Sequence, residues 1–216
     1  MCGITGIIKL DNSGISRSDL KNMTDSISHR GPDGEGYFSN NNIGFGHRRL
    51  AIIDLTDNAN QPFISSDGLF TLIYNGEVYN FKEIKKELSA KGYIFTSETD
   101  SEVVLYAWKE WGQESVKRLN GMFSFAIYDS SKETVSLVRD RFGIKPLYFF
   151  QKDEVILFGS EQKSIKANPS YSDEIDKEGL YEYFTFQNFF TSNTLSKHIK
   201  LLPPASITNI YIKSKK

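Results

Sequence analysis

The chain holds a single cysteine, and it stands at position 2, in MCGITG. A methionine before so small a residue is a substrate for aminopeptidases, and removal of Met1 leaves Cys2 with a free α-amino group. Such an amine has an ordinary pKa of about 7.7–8 and a thiol one of about 8.5. One residue would then carry a nucleophile and a base of matched proton affinity. A thiol attacking an amide needs donors for the oxyanion that forms. Asn75 and Gly76, in YNGEVYN, offer an amide side chain and a closely approachable backbone N–H. Arg49 in HRRL and Asp100 in ETDSE add a guanidinium, which grips a carboxylate with two parallel bonds, and a carboxylate suited to an ammonium. Those are the two charges of a free amino acid. Each residue also has a plainer reading. Cys2 fits a core strand as a small hydrophobe, Asn-Gly a hairpin turn, Arg49 a surface charge, and Asp100 a helix cap. His29 and His47 are rival bases, but a Cys–His pair has no need of a terminal cysteine. Both are read as structural, and His198 as an exposed residue near the chain end.

These groups need elements to hold them. Residues 4–10 show little polar alternation, which predicts a strand buried on both faces. Ser18 is placed to cap a helix with Leu20, Met23 and Ile27 on one face. HRGPDGEG (29–36) reads as a loop from its glycines and proline. GFGHRRLAIIDL (44–55) reads as a strand ahead of the loop TDNANQPF, and LFTLIYN (69–75) as another strand. Asn80 is placed to cap a helix carrying Phe81, Ile84 and Leu88, with Gly92 past its end. Asp100 or Ser101 opens the next helix, with Val104, Tyr106, Ala107, Trp108 and Trp111 as its apolar face. Residues 122–129, 134–140, 145–150 and 155–160 predict a meander of antiparallel strands. A helix follows near 176–186, and KSKK (213–216) reads as a solvated tail. Blocks of strands separated by helices point to sheets faced by helices, not to βαβ winding.

Composition excludes several classes. A formal net charge of −1 provides no global field for nucleic acid or an acidic membrane. One cysteine makes no internal disulfide, and no CxxC or Cys/His cluster suggests a metal. A reducing cytoplasm is the expected location. ITGII is too short for a signal sequence, and no run approaches the roughly 20 apolar residues of a membrane span.

The chemistry-bearing segments also form an ordered set: MCGITG, HRGPDGEG, HRRLAIIDL (47–55), YNGEVYN (74–80), TDSEVVL (99–105), LNGMFSFAIYD (119–129), RDRFGIKPLYF (139–149) and GSEQKSI (159–165). From residue 1 to about 165, with a weaker echo at LLPP (201–204), this set resembles the glutaminase domain of glutamine-hydrolysing asparagine synthetases. These are class II glutamine amidotransferases among the N-terminal nucleophile hydrolases. The resemblance implies an α+β fold, a four-layer α/β/β/α sandwich of two mostly antiparallel sheets. It implies a glutaminase domain over 1–190, with 191–216 a tail or the start of a linker to a synthetase domain. By the same resemblance Cys2 is the nucleophile that forms a glutamyl thioester, and Asn75 with the Gly76 N–H is the oxyanion hole. Arg49 holds the substrate α-carboxylate, Asp100 and Glu77 its nitrogens, and the backbone near Ile53 lines the pocket. Residues 30–33 are expected to form a loop held by its own polar contacts.

The expected reaction is L-glutamine plus water giving L-glutamate plus ammonia, with no metal or organic cofactor. In the family the ammonia serves an ATP- and Mg-dependent synthetase domain that converts aspartate to asparagine. The Ser-Gly-Gly-x-Asp-Ser loop of that domain is not in the sequence, so the chain reads as a fragment or as a subunit needing a synthetase partner, with homodimerisation compatible. Two alternatives stand beside this reading. The ammonia could serve another carboxylate, for instance on a surface sugar, or the domain could be a non-catalytic regulatory or interaction module.

Overall fold

The computed structural model describes residues 1–11 and 13–212, so the KSKK segment lies outside them. In chain order the elements are β1 (Gly3–Lys9), α1 (Arg17–Asp25), β2 (Gly34–Ser39), β3 (Ile43–Arg49), β4 (Phe63–Ile64), β5 (Phe70–Val78), α2 (Phe81–Ala90), α3 (Asp100–Trp111) and α4 (Ser115–Arg118). There follow β6 (Gly121–Asp129), β7 (Thr134–Arg139), β8 (Tyr148–Lys152), β9 (Val155–Gly159), α5 (Gln162–Lys166), α6 (Lys177–Phe186), β10 (Ile199–Leu201) and β11 (Ser206–Tyr211). The strands make a six-stranded sheet, β10-β8-β9-β1-β3-β2, and a five-stranded one, β11-β7-β6-β5-β4, with antiparallel pairing throughout.

Side chains alternate across each strand, so every sheet has two faces to bury. Ile4, Ile8, Ile43, Phe45 and Phe158 of the first sheet meet Ile73, Ala126, Val135 and Leu137 of the second in an inter-sheet core. The outer face of the first sheet, with Ile7, Phe150 and Leu157, packs on Leu20 and Met23 of α1 and Ile165 of α5. The outer face of the second, with Leu72, Tyr74 and Phe125, packs on Ile84 and Leu88 of α2 and Val104 and Trp108 of α3. Three cores separate four layers, in the α/β/β/α order expected. Helix α6 lies outside all three, with Tyr181, Phe184 and Phe186 exposed.

Several local expectations are corrected. HRGPDGEG is not all loop, because its last residues enter β2, an edge strand on β3. Gly31 and Gly36, which read as turn signals, serve packing instead. A Cβ on Gly36 would sit 1.9 Å from the Gln61 carbonyl oxygen, so only glycine lets that segment cross the strand. β3 stops at Arg49 rather than running to 55, and the apolar AIIDL segment is a loop with Ile52, Ile53 and Leu55 exposed. Asn80 precedes α2 but does not cap it; its side chain binds the Arg118 carbonyl and the Asn120 N–H. Ser16, not Ser18, caps α1, while α3 opens at Asp100 as expected, with Thr99 as its cap. Within 191–216, β10 pairs with β8 and β11 with β7.

Candidate active site

Cys2 immediately precedes β1, and its parity is that of Ile4 and Ile8, which face the opposite sheet. Gly3 pairs with Arg48, so Cys2 meets the end of β3. Its Sγ accepts the Leu50 N–H at 3.4 Å and donates to the Leu50 carbonyl at 3.7 Å. Asn75 lies on β5 two residues from Ile73, so its side chain shares the inward face of the second sheet. The nucleophile and the amide thus approach one another at an open end of the inter-sheet gap. The pocket there is about 160 Å³, and Cys2, Arg49, Ile53, Asn75, Gly76, Glu77 and Asp100 all line it. The sequence separates these residues by almost a hundred positions, and the fold brings all seven together.

The Asn75 side chain is almost completely buried, and its Nδ2 has no hydrogen-bond partner among the described residues. An unmade bond of this kind ordinarily costs about 1–3 kcal/mol. The neighbouring Gly76 is dictated by sterics. A Cβ there would stand 2.5 Å from the Met122 carbonyl oxygen and 2.6 Å from the Phe123 Cβ on β6. Asn-Gly is therefore no hairpin turn; it lies inside β5, registered against Ser124 and Phe123.

Arg49 is buried at the end of β3, and its Nη1 donates to the Thr56 carbonyl at 2.9 Å and to Asn60 Oδ1 at 2.8 Å. Its Nη2 donates to the Asp54 carbonyl. These bonds fold the 50–60 loop back over the strand end, which explains why the apolar AIIDL run does not continue β3. Five N–H groups form the guanidinium fork, so donors remain beyond these three bonds. Asp100 opens α3, and its Oδ2 takes the Tyr74 hydroxyl at 2.7 Å and the Val78 N–H at 2.8 Å. Burial raises its pKa above the ordinary carboxylate value, and those two hydrogen bonds oppose the rise. Glu102 fixes the approach to α3, taking the Thr96 N–H at 3.0 Å and the Ser97 N–H at 2.7 Å.

Burial also raises the Cys2 thiol pKa, with the Leu50 N–H and the positive chain end opposing it. The thiol is therefore held as S–H, and a nucleophilic role for it would need a base. Among the described residues no histidine is bonded to the sulfur. His47 is completely buried and burial holds it neutral, with a pKa of about 3, while His29 pairs with Glu161 at 2.9 Å. His198 is only half-buried and pairs with Glu174.

Sequence reasoning missed the groups that hold the cysteine. Residues 30–33 are not held by their own contacts. Arg30 Nε donates to the Cys2 carbonyl at 3.0 Å and its Nη1 to Glu161 at 2.9 Å, while Asp33 takes the Ala51 N–H at 2.9 Å. Gln61 was also missed; its Oε1 takes the Tyr74 N–H at 2.6 Å. Lys145, at the pocket wall, reaches the Met1 sulfur at 2.9 Å. The HRG and GIKP motifs carried the only sequence signal for Arg30 and Lys145. Among the described residues there is no cluster of His, Cys, Asp and Glu that could hold a metal ion, and no helix is long and apolar enough to cross a membrane.

The family described as Glutamine amidotransferase domain matches residues 1–216. The chain is 40% identical over 209 residues to glutamine-hydrolysing asparagine synthetase 1 of Bacillus subtilis (strain 168), covering 95% of this chain and 33% of that protein. Synthetase 3 of the same organism is 37% identical, covering 95% of this chain and 34% of its own length. The chain thus spans about a third of the length of these curated relatives. Among solved structures, glutamine phosphoribosylpyrophosphate amidotransferase from B. subtilis aligns with a TM-score of 0.65 at 21% identity, over 81% of this chain and 45% of that one. At that identity the likeness is one of fold.

Proposed function

The chain belongs to the glutamine amidotransferase domain family, and on that footing we propose that it hydrolyses L-glutamine to L-glutamate and ammonia with Cys2 as nucleophile. The observation that carries this reading is the buried Asn75 Nδ2, an unpartnered donor on the wall of the pocket that Cys2 lines. Such a donor is idle in the resting protein and gains a partner when a carbonyl carbon becomes tetrahedral. An oxyanion-hole donor of this type contributes about 2.7–4 kcal/mol.

In the proposed cycle Arg49 takes the substrate α-carboxylate, and Asp100 takes the α-ammonium with its less engaged oxygen. Glu77 lies toward the amide nitrogen. Once Met1 is removed, the Cys2 amine accepts the S–H proton as sulfur bonds to the side-chain carbonyl carbon. Asn75 Nδ2 and the Gly76 N–H hold the oxyanion. The protonated amine gives its proton to the departing nitrogen, the C–N bond breaks, and ammonia leaves a glutamyl thioester. Water then attacks with the same amine as base, releasing glutamate and restoring the thiol.

The ammonia goes to an ATP- and Mg-dependent synthetase that amidates aspartate. The support is the relatives of about three times this length that are named glutamine-hydrolysing asparagine synthetases. The glutaminase step needs no cofactor of its own in this scheme. The test is glutamate release by protein whose loss of Met1 is verified by intact mass, beside Cys2→Ala. A glutamine-like diazoketone should add one label to the parent and none to the variant. Equal background rates in both would leave a binding module as the better reading.

A further inference from the structure

Lys145 is the charged group that this scheme leaves idle. It lies between β7 and β8 and is 5% exposed, and it lines the pocket with Cys2. Its backbone N–H is tied to Asp140 Oδ2 at 2.9 Å, and that carboxylate also takes the Phe142 and Ile144 N–H groups. The Lys145 backbone is therefore fixed, and the Glu77 and Asp140 carboxylates act on its ammonium through space. Among the described residues its Nζ hydrogen-bonds only to the Met1 thioether sulfur, at 2.9 Å. A thioether is a weak acceptor, and burial lowers the Lys145 pKa from the ordinary lysine value.

The Met1 sulfur is about five covalent bonds from the Cys2 nitrogen, so the ammonium lies within roughly 9 Å of that nitrogen. When Met1 leaves, Lys145 loses this partner, and a new α-amine opens at the same corner. The charges facing this corner are Arg30 behind Cys2, Glu77 on β5, and Asp140, with Arg49 and Asp100 also acting on Cys2. Resting on the reading that the freed Cys2 amine is the base, we infer that Lys145 is a positioning residue for proton transfer: its ammonium keeps the amine neutral and basic near pH 7. A nearby like charge disfavours protonation, here by about one pH unit or more.

The single cysteine makes the test direct, because cysteine-selective 13C labelling places the label at Cys2 alone. NMR titration of the Met1-free protein should give an amine pKa below the ordinary value of about 7.7–8. In Lys145→Met it should rise by about one unit, and Lys145→Arg should keep the parent value. The acidic limb of the kcat/KM profile for glutamine should move with it. An ordinary amine pKa in the parent overturns the inference, as does an unchanged one in a folded Lys145→Met. If Lys145→Met does not fold, Lys145→Gln, which likewise removes the charge, is titrated in its place and decides by the same criteria. The NMR readout needs no turnover. A depressed amine that rises in Lys145→Met, in a protein without glutaminase activity, would therefore sink the proposed function and leave the effect of Lys145 on the amine standing.

Discussion

The two walls of the pocket are built on different principles. On one side, Cys2, Asn75 and Gly76 sit on or beside central strands, Asn75 and Gly76 held in the ladder to β6 and Cys2 next to the ladder between β1 and β3. On the other side, the 50–60 loop carries Ile53 and is held by the Arg49 guanidinium and by side-chain bonds from Asp33 and Asp54, with Ile52 and Leu55 left exposed. Groups placed for chemistry tolerate little displacement, since an error of an ångström misaligns attack. A recognition loop can open and reclose around a ligand. In the proposed cycle the rigid wall therefore receives the reacting carbonyl, and the guanidinium-folded wall the substrate's charged end.

The contrast can be broken by substitution, and the largest effect falls on the rigid wall. In Met1-free protein, Cys2→Ala should lower kcat by about 10⁴-fold or more, leaving only residual catalysis from binding and the oxyanion donors. Asn75→Ala should lower kcat by about 10²–10³-fold with KM little changed, since its bond forms only in the transition state. Should Asn75→Ala raise KM instead, Nδ2 is a ground-state contact and the division of walls fails. Arg49→Lys should do the reverse, raising KM about tenfold or more, because an ammonium cannot reproduce the fork. The same variant should speed hydrogen exchange across residues 52–60 and leave β5 protected. Tyr74→Phe should cost about 0.5–1.5 kcal/mol of stability, and should raise the Asp100 pKa further by removing a bond to its ionised form.

The smallest effect tests the buried strand wall by pH. His47 has a folded pKa of about 3 against an ordinary 6.5, so below about pH 6.5 the unfolded chain binds a proton that the folded one does not. Stability from this group is complete above 6.5 and is lost as pH falls toward 3. Urea midpoints should therefore fall between pH 7 and 5, and His47→Gln should flatten that slope. Glu161, with a pKa of about 2, adds its own loss only below the ordinary carboxylate range. A parent slope unchanged in His47→Gln would mean that the ring is hydrated in solution.

Much of this was legible in the linear chain. The strand meander, the helix faces of Leu20–Met23 and Ile84–Leu88, and Cys2, Arg49, Asn75, Gly76 and Asp100 could be read because periodicity and reactive groups are local properties, whereas Glu77 and Ile53 came from the family resemblance alone. The failures share one cause. Gly36 looked like a turn and Ala51 to Leu55 like a strand because their partners, the Gln61 carbonyl and the Arg49 guanidinium, lie elsewhere in the chain. Asn80 had a cap's composition, but the Arg118 carbonyl and the Asn120 N–H, just ahead of β6, claimed its side chain.

The order of residues by itself determined which groups can react: one thiol beside the chain start, an amide-glycine pair, a guanidinium and a carboxylate. Only the tertiary structure decided that Asn75 Nδ2 stays unpartnered, that Arg30 holds the Cys2 carbonyl, and that Lys145 is buried against Met1. Residue type sets what a group can donate or accept. Whether its partner is water, backbone or an empty pocket depends on segments that meet only when the two sheets close on one another.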